Sequence, residues 1–149
     1  MIKRIINAKI KERLFKGKAI ILMGSRQIGK TTSLKEIFSS NENVLWLSGD
    51  DNDTQSFFED TTSDRLKILF GNKKLIVIDE AQRISNIGLK LKLITDNMAD
   101  LQLVVTGSSA FELADKTKEP LTGRKWEYQM FPLSFQEMVD HHGFITEKR

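Results

Sequence analysis

The chain has 149 residues, 40% hydrophobic and 29% charged, with nine Gly and two Pro, which fits one globular domain and excludes disordered, collagen-like and proline-rich chains. It has no cysteine, so disulfides, thiolate metal sites and cysteine nucleophiles are ruled out, and a reducing, cytoplasmic setting is expected. The net charge of +3 falls short of the strong basic bias of a dedicated nucleic-acid module.

Met1-Ile2-Lys3-Arg4 opens like a signal peptide, but Asn7, Lys9, Lys11 and Glu12 interrupt any apolar stretch, so export is not expected. Ile2, Ile6, Ile10 and Leu14 recur at helical spacing and Gly17 follows as a stop, predicting an amphipathic helix from about Ile2 to Lys16. The basic residues of this segment, and the acidic cluster from Asp50 to Asp64, read first as solvated faces. Attraction of DNA or phosphate by the basic segment is the sharper alternative.

Ala19 to Met23 is a continuous apolar run closed by Gly24, the pattern of a strand buried on both faces. A glycine-bounded loop leads into a short helix marked by Leu34, Ile37 and Phe38. Val44 to Leu47 is a second buried-strand candidate, closed by the polar cluster Ser48 to Asp53. Phe57 to Phe70 supplies one or two helices ending near Gly71, and Leu75 to Ile78 a third strand. Ile87, Leu91, Ile94 and Met98 form a helical stripe, Leu101 to Val105 a fourth strand, and Phe111 to Ala114 a short helix. Trp126 to Phe131, stopped by Pro132, makes a fifth strand. Trp46 and Trp126 are assigned to the core. Strands alternating with helices require crossovers, which predicts an α/β fold: a three-layer sandwich with a five-stranded, mainly parallel sheet. No run approaches the roughly 18 apolar residues that cross a bilayer, so no membrane partner is expected.

Gly24-Ser25-Arg26-Gln27-Ile28-Gly29-Lys30-Thr31 matches G-x-x-x-x-G-K-[ST] between a predicted strand and a predicted helix. Such a match arises by chance about once in 200 chains of this length. The glycines let the backbone fold around a phosphate with its amides pointing inward, and the helix N-terminus adds partial positive charge. The loop from Gly24 through Thr31, with Thr32 beyond it, is therefore the candidate nucleotide cradle, the Arg26 and Gln27 side chains pointing outward. Lys30 would reach the β- and γ-phosphates, and the Thr31 hydroxyl would hold Mg²⁺.

Leu75-Ile76-Val77-Ile78 delivers Asp79 to the C-terminal end of a buried strand, where ligands gather in open α/β sheets. Asp79 can complete the Mg²⁺ environment. Glu80, one residue on, would turn to the other side of an extended chain and serve as the base that orients and deprotonates the attacking water. The plain alternative for the pair is an acidic cap on the next helix. D-x-x-G and N-K-x-D are missing around Asp79 and Asn72, so ATP is favoured over GTP. Gln82 and Arg83 would relay nucleotide state or form a solvated first turn. His141-His142 has no partner at metal-ligand spacing.

These motifs resemble the AAA-type P-loop ATPases, through Gly24 to Thr31, Leu75 to Glu80 and the strand Val44 to Leu47 between them. The order GSRQIGKTT, WLSGDD, LIVIDEAQ, LVVTGSS, LTGR and FPLSFQEM is similar to prokaryotic ATPases in which an N-terminal AAA domain precedes a nuclease-like domain of unknown function. The resemblance implies that residues 1–149 form one ATP-binding domain, a fragment lacking the helical lid and C-terminal domain. It further implies that Thr106 or Ser108 senses the γ-phosphate, although the usual Asn is missing there. Arg124, after Gly123, would be an arginine finger serving a neighbouring copy, which requires a homo-oligomer; an ordinary surface ion pair is its plain alternative. The expected function is Mg²⁺-dependent ATP hydrolysis coupled to movement of a partner domain or subunit. A nucleotide-gated, DNA-associated or signalling switch with little hydrolysis is the alternative.

Overall fold

The computed structural model describes residues 5–24, 30–38, 43–98, 100–107, 121, 123 and 125–129. In chain order these form α1 (Ile5–Arg13), β1 (Ala19–Met23), α2 (Lys30–Ile37), β2 (Val44–Ser48), α3 (Asn52–Glu59), α4 (Ser63–Phe70), β3 (Leu75–Asp79), a 3-10 turn (Ala81–Arg83), α5 (Ile87–Asn97), β4 (Gln102–Gly107) and β5 (Lys125–Gln129). The expected helix at Phe111 to Ala114 and the C-terminal residues after Pro132 lie outside the described residues.

The strands make one sheet in the order β2-β3-β4-β1-β5, and every neighbouring pair is parallel. Alternate side chains of each strand feed opposite faces. Ile21, Ile76, Ile78, Leu103 and Val105 pack with Phe58 of α3, Leu66 and Phe70 of α4, and Ile87, Leu91 and Ile94 of α5. Ile20, Leu22, Leu75, Val77 and Val104 pack on the other side with Ile10 of α1, Leu34 of α2 and Phe38 just after it. The result is three layers, with β1, β3 and β4 enclosed. Their continuous apolar runs are the sequence signature of that enclosure.

Several expectations change. Val44 to Leu47 does form a strand, but as β2 it occupies the sheet edge and is only half-buried. Trp46 is 38% exposed there, so it is not a core residue. Trp126 is half-buried, its ring covered by Arg13 at 4.1 Å and Lys18 at 4.3 Å, a cation–π arrangement at the far edge. The first helix also stops earlier than Gly17 suggests. Phe15 takes the left-handed conformation (φ 57°), and its amide donates to the side-chain oxygen of Gln102 at 2.6 Å. A contact 87 residues away in sequence thus holds the chain reversal. Two turns follow local rules: the Thr62 hydroxyl caps α4 by accepting from the Arg65 amide, and Gly71, at φ 56°, closes its other end.

Burial separates sensitive from tolerant positions. Ile76 is fully buried in the larger core, whereas Ile68 on α4 is 81% exposed. Ile76→Ala should cost about 2–5 kcal/mol, and Ile68→Ala less than about 0.5 kcal/mol, read from urea-unfolding midpoints.

Candidate nucleotide site

Parallel alignment brings several strand ends to one edge of the sheet. Met23 pairs with Gly107, and Ser48 with Asp79. The Gly24 amide donates to the Gly107 carbonyl at 3.2 Å, fixing where the chain leaves β1. Ser25 to Gly29 lie outside the described residues, as do Ser108 and Arg124. Lys30 is the first residue of α2, Thr31 follows half-buried, and Thr32 is exposed.

Thr31 and Asp79, 48 residues apart in sequence, meet directly: the Thr31 hydroxyl donates to Asp79 Oδ2 at 3.1 Å. The other carboxylate oxygen, Oδ1, accepts the hydroxyl proton of Thr106 in a short contact. Thr106 is fully buried in β4, and its oxygen also accepts the Glu80 amide at 3.1 Å. One hydroxyl therefore aligns the Asp79 carboxylate and the Glu80 backbone together. Of the two sensor candidates, Thr106 joins the described site, with its proton directed to Asp79.

Glu80 departs from the expected extended path. β3 ends at Asp79, and Glu80 is left-handed, φ 51° and ψ 45°, a costly conformation for a residue with a Cβ. Strict strand alternation therefore does not set its direction. Neighbouring groups hold it. Its carbonyl lies against Gly49, where an added Cβ would come within 2.1 Å of the Glu80 oxygen. The Gly49 amide donates to the Asp79 carbonyl at 2.6 Å, and the Gly49 carbonyl accepts the Gln55 side-chain amide at 2.6 Å. Gln82 donates from Nε2 to Glu80 Oε2 at 2.8 Å. Arg83 is solvent-facing and lies 3.5 Å from Asp50. Of the two residues expected in a solvated turn, only Arg83 is exposed; Gln82 is 4% exposed.

An open cavity of about 580 Å³ runs from Thr31 and Asp79 between α2 and β2, walled at its far end by Phe38 and Trp46. The sequence pattern concealed Trp46, because an apolar run does not tell an edge strand from an enclosed one. Gly49 had a weak signal, a glycine inside the polar cluster after β2. Gln82 had none, since its burial depends on the reversal at Glu80. Gly49→Ala should lower stability by about 1–3 kcal/mol by forcing the Glu80 turn away from β2, measured by denaturant unfolding.

Parallel strands and a threonine–aspartate contact at the strand ends, together with the sequence motif that runs from Gly24 to Thr31, are the marks of a P-loop nucleotide-binding protein. A family model described as "AAA domain" matches residues 16–139, and the chain belongs to that AAA family of P-loop ATPases. It is 26% identical over 150 residues to an uncharacterised protein of Methanocaldococcus jannaschii, covering 98% of this chain and 34% of the relative. An uncharacterised protein of Mycobacterium tuberculosis is 28% identical over 118 residues, covering 78% of this chain and 26% of the relative. The chain thus spans a quarter to a third of these relatives. Among solved structures, a Walker-type ATPase of Pyrococcus abyssi superposes with a TM-score of 0.66 at 17% identity, over 97% of this chain and 58% of that one. Domain III of the Thermotoga maritima replication initiation protein DnaA gives 0.62 at 14% identity, over 93% and 68%. These likenesses show the fold, and family membership points to nucleotide binding and hydrolysis. Among the described residues, no helix is long and apolar enough to cross a membrane.

Proposed function

We propose that this domain binds ATP with Mg²⁺ and hydrolyses it, and that hydrolysis moves an adjoining domain or a second subunit in the cytoplasm. The observation that carries this reading is the hydrogen bond between Thr31 and Asp79. A hydroxyl and a carboxylate are hard oxygen donors suited to Mg²⁺, and here they already converge beside the start of α2. Thr31 and Asp79 would hold the ion, which when bound neutralises phosphate charge.

The remaining work falls to the chain's own groups. The backbone from Gly24 to Thr31 would cradle the phosphates, and Lys30 would pair with the β- and γ-oxygens. Glu80 would accept a proton from the attacking water as the water oxygen bonds to the γ-phosphorus. The bond from that phosphorus to the β–γ bridging oxygen breaks, and ADP and phosphate leave. Thr106 supports this by fixing Asp79 and Glu80 relative to each other. The family resemblance supports Ser108 as a phosphate contact and Arg124 as a group supplied to a neighbouring copy. It also supports a lid and a C-terminal domain beyond this segment, in keeping with the partial coverage of the relatives.

Lys30→Ala should abolish tight ATP binding. Glu80→Gln should bind ATP with near-normal affinity while turning over about 10²–10³ times more slowly, the usual loss for one catalytic electrostatic group. Equilibrium ATP binding and single-turnover hydrolysis provide the check, and wild-type turnover in Glu80→Gln would remove Glu80 from the mechanism.

A further inference from the structure

Gln82 stands two residues beyond Glu80, inside the 3-10 turn, and is 4% exposed. Burying an amide side chain is unfavourable unless hydrogen bonds compensate, and its Nε2 donates to Glu80 Oε2 at 2.8 Å. The contact accompanies the left-handed conformation of Glu80, which ends the strand and folds the following residues into the turn. That turn is anchored at both ends. The Arg83 amide donates to the Glu80 carbonyl at 3.1 Å and the Ile84 amide to the Ala81 carbonyl at 3.0 Å, while Ala81 and Ile84 are buried in the core. The Glu80 backbone is tied to β4 through Thr106 and seated against Gly49.

We propose that Gln82 is a positioning residue for Glu80: its amide holds the carboxylate in the orientation from which Glu80 receives the proton of the attacking water. The inference rests on Glu80 being the base. A glutamate has several rotatable bonds, and ordering it costs conformational entropy. A rigid neighbouring amide supplies that order before the substrate arrives. Gln82 touches neither water nor nucleotide in this role, so its removal lowers kcat and leaves ATP affinity in place.

The test compares Gln82→Met, which preserves size and removes the donor, with the wild type in steady-state hydrolysis and equilibrium ATP binding. A misplaced catalytic group costs on the order of 10- to 100-fold. The expected result is a kcat loss in that range with ATP Kd changed by less than about twofold. Because Gln82 acts through Glu80, adding Gln82→Met to Glu80→Gln should slow turnover little further. A merely structural role would multiply the two losses, and that result overturns the proposal. Unchanged or increased kcat in Gln82→Met, with Glu80→Gln slow, also overturns it while leaving Glu80 as the base. Wild-type turnover in Glu80→Gln removes both. Should Gln82→Met not fold, Gln82→Leu, which also removes the amide donor without adding a charge beside Glu80, carries the same comparison.

Discussion

The Thr31 hydroxyl reaches the Asp79 carboxylate across the gap between α2 and the end of β3, and the site depends on that meeting. Neither residue alone marks a cation site, since threonines at helix starts and aspartates at strand ends are common. Their convergence requires β1 and β3 to run parallel on either side of β4, so that α2 begins beside the point where Asp79 emerges. Hydrophobic burial supplies that arrangement: β1, β3 and β4 are buried along nearly their whole length. The core has no catalytic group of its own, yet it sets the distance between two oxygens from remote parts of the chain.

Around this contact the chain accepts strain. Glu80 sits in a left-handed conformation that favours glycine, and it is retained because Thr106 and Gln82 hold its amide and carboxylate, the Arg83 amide binds its carbonyl, and Gly49 leaves room for that carbonyl. The glycine is needed at position 49, on the neighbouring strand's loop, since that is where the Glu80 carbonyl approaches too closely for a side chain. Residues from the loop after β2, from β4 and from the 3-10 turn thereby converge on one acidic residue. Such over-determination is what keeps an unfavourable backbone conformation populated.

Much of this was legible before folding. The apolar blocks of β1 and β3 and the polar termini after them located both motifs, and the loop's glycine-and-lysine spacing named its ligand class. The two motifs assign Thr31 and Asp79 to one ion, and their side chains meet in the folded chain. What escaped the pattern depended on tertiary neighbours. Trp46 reads as core because its strand is apolar, and only the sheet order makes that strand an edge. The end of α1 is set by Gln102, far along the chain, so Gly17 misled. Glu80 was expected to follow strand alternation, but the strand stops one residue earlier, and with that reversal Gln82 moves from an expected solvated turn to a buried partner.

The central claim is that Thr31 and Asp79 together form the cation site on which nucleotide affinity depends. Its most direct test is ATP affinity measured in Mg²⁺ and again in EDTA, for the wild type and Asp79→Asn. The account predicts a marked gain in affinity with Mg²⁺ in the wild type and loss of most of that gain in the variant. An equal gain in both proteins would show that Asp79 does not serve the ion and would contradict the account.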